Sequence, residues 1–159
     1  MKRVLMLASV ASMIDQFNMP NIALLQKLGY EVDVACNFIE GNTCSEARVA
    51  ELKKKLQDMH VRCYQIDFAR NIKHMGQNMR ALRQVEGLMK QNGYAFCHCH
   101  SPIGGVVARI AGHRTKTKVI YTAHGFHFVP GGTGYELAGV LSGGEDAEQM
   151  DGCVDNDQS

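Results

Sequence analysis

An α/β fold with a Rossmann-like parallel sheet and helices on both faces is predicted by two observations. Short β-type apolar runs alternate with longer helical ones as far as Thr122, which is the pattern of repeated βα units with right-handed crossovers. Two of those strand runs also end in histidines: Phe96-Cys97-His98-Cys99-His100 and Val119-Ile120-Tyr121-Thr122-Ala123-His124. Ligands of open α/β sheets bind beyond the carboxyl ends of the strands, so both imidazole groups are expected to face one cleft.

Residues 4–7 read as the first strand. Its start, Met1-Lys2-Arg3-Val4, has the basic lead of a signal peptide, but Ser9, Ser12 and Asp15 interrupt the apolar run and favour a buried strand. A helix is expected over 20–28, with Pro20 in its first turn and Gly29 as its stop. Residues 31–36 form the second strand, and Ser45 caps a helix reaching about Met59, with Val49, Leu52 and Leu56 on one face. The third strand is 61–66, followed by a helix over about 72–90 carrying Met75, Met79, Leu82, Val85 and Met89 as core positions. Residues 94–99 make the fourth strand, 103–111 a short helix and 118–122 the fifth strand.

The chain of 159 residues, 45% apolar and 21% charged, suits one soluble domain with a sizeable core. No apolar run reaches the roughly 18 residues that suggest a membrane span, so a cytoplasmic location is expected. Six irregularly spaced cysteines without a secretion signal predict reduced, buried thiols. The formal charge of +1 is uneven: seven acids and no Lys or Arg follow Gly131, leaving 17 bases against nine acids before it, a formal +8. Such a basic domain suits an anionic membrane, a phosphorylated substrate or nucleic acid, and ordinary solvated helix faces account for much of it equally well.

The loop Ala8-Ser9-Val10-Ala11-Ser12 lacks the glycines a dinucleotide pyrophosphate needs, and no Walker A sequence occurs, which argues against NAD, FAD and nucleotide hydrolysis. His98 and His100 fall on one face of the fourth strand, Cys97 and Cys99 on the other, so the four cannot converge on a metal from a regular strand. His98, deeper in the strand, reads as a hydrogen-bonded core residue, and His100, at its end, as the better ligand. Ser101-Pro102 opens a helix, and Gly104 and Gly105 in its first turn admit either a ligand or close packing against the sheet. His124 and His127 can exchange a proton near neutrality or orient a sugar hydroxyl. Arg70 could face a phosphate or pair with Asp67.

Several of these stretches carry a family resemblance. Ala11-Ser12-Met13-Ile14-Asp15-Gln16-Phe17-Asn18, Gly29-Tyr30-Glu31-Val32-Asp33-Val34-Ala35, Ile66-Asp67-Phe68-Ala69-Arg70-Asn71, His98 to Gly105 and Tyr121 to Phe128 resemble the N-terminal domain of family 4 glycosyltransferases, in particular bacterial enzymes of capsular and exopolysaccharide assembly. The resemblance implies the N-terminal half of a GT-B fold, which receives a glycan or lipid-linked sugar acceptor. It places His124 at the acceptor side of the reaction centre, which makes it the expected catalytic residue, with His100 beside it; Ser101, Gly104, Gly105, Arg70 and His127 are the further residues expected to bind the acceptor. It implies no metal, no cofactor and no nucleic-acid partner. The nucleotide-sugar donor is a substrate held by a second, C-terminal domain, and contact with the inner face of the membrane is peripheral.

Residues 1–130 are thus expected to form the acceptor-side domain, and 131–159 an acidic, Gly-rich and disordered tail. From Gly132 the tail can be back-translated so that reading one base later gives APDMNWLVYYPVEKMLSR, a string resembling the family's continuation. A one-base insertion at the Gly131–Gly132 codons is the expectation this raises, with a natural acidic tail as its alternative. Without the donor domain the chain is expected to be inactive alone. The other readings are a non-catalytic module for a polyprenyl-phosphate glycan or anionic membrane, a histidine/cysteine metal protein, and a gene remnant.

Overall fold

The computed structural model describes residues 1–71 and 73–124. His127, Cys153 and the expected tail over 131–159 lie outside the described residues. In chain order the elements are β1 (Arg3–Val10), α1 (Ala11–Met13), a π-helical turn (Ile14–Asn18), α2 (Met19–Lys27), β2 (Glu31–Asn37), α3 (Glu46–Asp58), β3 (Arg62–Gln65), α4 (Met75–Asn92), β4 (Phe96–Cys99), α5 (Pro102–Thr115) and β5 (Lys118–Tyr121). The five strands form one parallel sheet in the order β3-β2-β1-β4-β5. The predicted α/β class and parallel sheet are therefore borne out.

Both sheet faces are covered. Leu5 and Leu7 of β1, with Cys97 and Cys99 of β4, pack against Ala81, Leu82 and Val85 of α4 and Val107, Ala108 and Ala111 of α5. On the other face Met6 and Ala8 join Val32, Val34 and Cys36 under Ile14, Ile22, Val49, Leu52 and Leu56. Alternate residues of β1 thus feed two cores, which is why its apolar run is continuous. Cys36, Cys44, Cys63, Cys97 and Cys99 are free thiols, three of them buried. Burial pushes the Cys97 thiol well up and that of Cys99 up to about 12, so both pack as neutral side chains.

Local signals place several ends. Ser45 Oγ accepts from Arg48 N (3.3 Å) at the start of α3. Gly29 takes a φ of +85° just past α2, a conformation glycine adopts without steric cost. Three elements differ from expectation. The helical path after β1 begins at Ala11, nine residues before Pro20, because a wide turn bridges to α2 and the Asn18 amide donates back to Met13 O (3.0 Å). The fourth helix starts at Met75, since Asn71 Oδ1 takes the Lys73 N–H and Asn71 O the His74 N–H in a local turn. Its stripe first meets the core at Ala81, which leaves Met75 76% and Met79 47% exposed rather than in the core. The fifth helix runs on to Thr115, where Lys116 caps it in the left-handed region. No helix among the described residues is long and apolar enough to cross a membrane.

Candidate functional site

The chain reverses direction across the sheet at β1. One neighbour, β2, follows it directly, and the other, β4, arrives only after two further crossovers. At such a switch point the connections leave in opposite directions and open a crevice beyond the carboxyl ends of the two strands. The loop after β1 and the start of α5 meet there. Ser101 Oγ accepts from Gly104 N (3.1 Å), capping α5, and from Ser9 N (3.2 Å), tying the end of β1 to the helix. With both lone pairs engaged, the hydroxyl retains only its proton to offer a ligand.

Ser101 lines a cavity of about 320 Å³ with Ser9, Arg70, Asn71, Pro102 and Ile103. Arg70 is exposed and does not pair with Asp67. Asp67 instead exchanges hydrogen bonds with Gln84 (2.9 and 3.0 Å) and lies 4.0 Å from Arg80. The loop carrying Arg70 is also held from β2, where the buried Asn37 donates to Phe68 O (3.1 Å) and accepts from Gln65 (3.0 Å). A fixed loop with an exposed guanidinium beside a helix start is suited to an anionic group.

The glycines of α5 have a packing role. A Cβ on Gly104 would fall 2.5 Å from Ser101 Oγ, and one on Gly105 2.9 Å from the Tyr121 ring. The space each leaves is filled by the protein's own side chains.

A second group of residues adjoins the first through the peptide linking His100 to Ser101. His100 Nδ1 lies 3.0 Å from His124 Nε2, and His100 Nε2 lies 3.0 Å from Met6 Sδ. His98 stacks on His100 with centroids 4.0 Å apart, and its Nε2 is 2.8 Å from Thr122 Oγ1. Phe17, from the wide turn after β1, packs on the His124 ring at 4.8 Å.

The burial of the two strand histidines is the reverse of the sequence expectation. His100 has no exposed surface, while His98 is half-buried. The His100 amide still pairs with Leu7 O (3.0 Å), so the residue stays on the sheet and its ring is roofed by His98 and His124. Burial, then the neighbouring His98 and His124, pull the His100 imidazole down to about 3. Burial and then His124 also lower His98. At neutral pH the two strand histidines are therefore uncharged, and His124 presents an exposed ring at the end of the group. Among the described residues no three His, Cys, Asp or Glu side chains converge to hold a metal.

Arg70 and Ser101 thus share a cavity, His100 and His124 share a hydrogen bond, and His127 falls outside the described residues. Phe17, Asn37, Asn71, Met6 and Thr122 were missed from the sequence. Only the position of Phe17, Asn71 and Thr122 within segments that carry the family resemblance pointed to them.

The glycosyl transferase 4-like domain profile matches residues 19–143. The chain is 32% identical over 133 residues to the putative glycosyltransferase EpsD of Bacillus subtilis (strain 168), a match covering 82% of this chain and 31% of that protein. Its fold is similar to that of Acinetobacter baumannii MurG, with a TM-score of 0.59 at 21% identity over 88% of this chain and 39% of that one. It is likewise similar to a glycosyltransferase from Rickettsia africae ESF-5, with a TM-score of 0.60 at 17% identity over 82% and 32% of the two chains. The chain therefore spans about a third of the length of these relatives.

Proposed function

The chain belongs to the glycosyl transferase 4-like family, and from that premise we propose that it forms the acceptor-side half of a sugar-transfer cleft in polysaccharide assembly. The observation that carries this reading is the pairing of a cavity at the β1/β4 switch point, which Ser9, Arg70, Asn71 and Ser101 line, with an exposed histidine held beyond the end of β5. In the proposed reaction an acceptor hydroxyl oxygen bonds to the anomeric carbon of a nucleotide sugar. The bond from that carbon to the diphosphate oxygen breaks, its electron pair leaves on the diphosphate, and the hydroxyl proton passes to His124. Arg70 and the Ser101 hydroxyl bind the acceptor.

A lipid-linked acceptor is supported by exposed apolar residues on the segments leaving three strand ends: Phe17 after β1, Ile39 after β2 and Met75 after β3. Transfer requires donor and acceptor to be held together, so this half alone is expected to bind without turning over. The test is titration with a polyprenyl-diphosphate sugar in detergent, followed by amide shifts. Changes confined to Ser9, Arg70, Ser101 and His124 support the reading, and saturable binding that maps elsewhere overturns it.

A second reading, a binding module for an anionic membrane, is favoured by Arg109, His113, Lys116 and Lys118 around a hollow of about 470 Å³. Sedimentation with anionic vesicles containing no sugar lipid separates the two, because only the second reading expects the chain in the pellet.

A further inference from the structure

His100 sits between two groups that can be satisfied together in only one way. A neutral imidazole has one N–H and one lone pair, and a thioether sulfur accepts hydrogen bonds but never donates them. With Met6 Sδ 3.0 Å from His100 Nε2, a lone pair on that nitrogen would face a second electron-rich atom, so the hydrogen belongs on Nε2. His100 Nδ1 then carries the lone pair, and the 3.0 Å contact to His124 becomes favourable only when His124 Nε2 donates.

We infer that His100 is a positioning residue that holds His124 with its hydrogen on Nε2 and its lone pair on Nδ1, making His124 Nδ1 the proton-accepting atom of the site. This inference rests on the reading that His124 meets the acceptor.

Three features support the assignment. Phe17 packs on the His124 ring at 4.8 Å, and the hydrogen bond to His100 anchors one edge of that ring. The other ring nitrogen, Nδ1, does not take part in that bond, and His124 is an exposed residue. The titratable groups facing His100 are His98 from its own strand and His124 from beyond β5, while β1 offers only the uncharged Met6. Both neighbours disfavour a proton on His100, and burial adds to them. A proton taken up by His124 Nδ1 therefore stays on His124 instead of passing inward. The arrangement differs from a carboxylate-backed histidine, because the orienting group is neutral and fixes a tautomer without adding charge.

The test is NMR on the full chain labelled at the histidine ring nitrogens. The expected result is a scalar coupling across the hydrogen bond between His124 Nε2 and His100 Nδ1, with the proton bonded to His124. A proton bonded to His100 Nδ1, or no coupling at all, overturns the inference. Exchange of the His124 Nε2 proton gives a second readout. His100→Asn places an acceptor near the Nδ1 position and should preserve its protection. His100→Leu should speed exchange roughly five- to tenfold, the effect of losing one ordinary hydrogen bond. Equal exchange in the two folded variants would count against a positioning role. The coupling is read without ligand, so its absence sinks this inference alone, whereas acceptor binding that leaves His124 unperturbed sinks the functional reading alone.

Discussion

Ser101 joins two elements through one oxygen, and its removal should be felt in both. Ser101→Ala deletes the cap of α5 and strands the Ser9 amide, and the expected loss is about 1–2 kcal/mol of stability in urea denaturation. His100 makes stability depend on pH in a definite direction. Its folded value of about 3 lies below the ordinary 6.5, so between those limits the unfolded chain binds a proton that the folded chain refuses. The stabilisation is complete above pH 6.5 and is lost as the pH falls toward 3. The lowered His98 acts in the same sense. Urea midpoints of the native chain should fall between pH 7 and 4, and His100→Asn should make that fall shallower; equal slopes would show that His100 does not titrate on unfolding. The reversal of burial between His98 and His100 belongs to this scale. Position along a strand told how far each lay from the strand end, but not that His98, Met6 and His124 would enclose the later residue.

Helix α5 and strand β5 approach closely at two glycines, Gly105 against Tyr121 and Gly112 against Val119. A Cβ on Gly112 would fall 2.5 Å from Val119 Cγ2 and 2.7 Å from Thr117 O, a backbone atom that cannot swing aside. Gly112→Ala should therefore destabilise by about 1–2 kcal/mol even after the roughly 1 kcal/mol that alanine gains as a helix former. An unchanged urea midpoint would mean that the turn at Lys116 gives way. Elements of this kind were readable in sequence where their signals were local. Ser45, Gly29 and the pair Ser101-Pro102 mark helix ends within a few residues of themselves. The start of α4 was not readable, because Asn71 diverts the backbone into a turn within a segment whose apolar spacing still looks helical. The exposure of Met75 and Met79 follows from the same cause: an apolar stripe does not state where the core it points toward begins.

Across the whole molecule, the class of fold followed from alternating βα runs, but the strand order depended on pairings between distant segments. The contact from Ser9 to Ser101 spans 92 residues, and no local pattern announces it. The site inherits that limit: its residues were legible individually, and their grouping into a cavity and a histidine pair was not. The chain spans about a third of its relatives, so the proposed chemistry is best tested in a chimera that joins it to the remaining length of one of them. In that assembly His124→Ala should lower the rate about a hundredfold or more, measured with a radiolabelled nucleotide sugar. A rate equal to wild type would remove His124 from the chemistry.

The strand order also sets a timetable for synthesis. β1 leaves the ribosome first, yet one of its edges is closed only when Phe96 to Cys99 emerge to pair with Val4 to Leu7. At roughly 5–20 residues per second, that edge waits on the order of ten seconds. Four residues that finish with no exposure spend the interval on an open strand edge, the kind of surface that recruits other chains and that chaperones cover. The strand made first waits longest for its second neighbour.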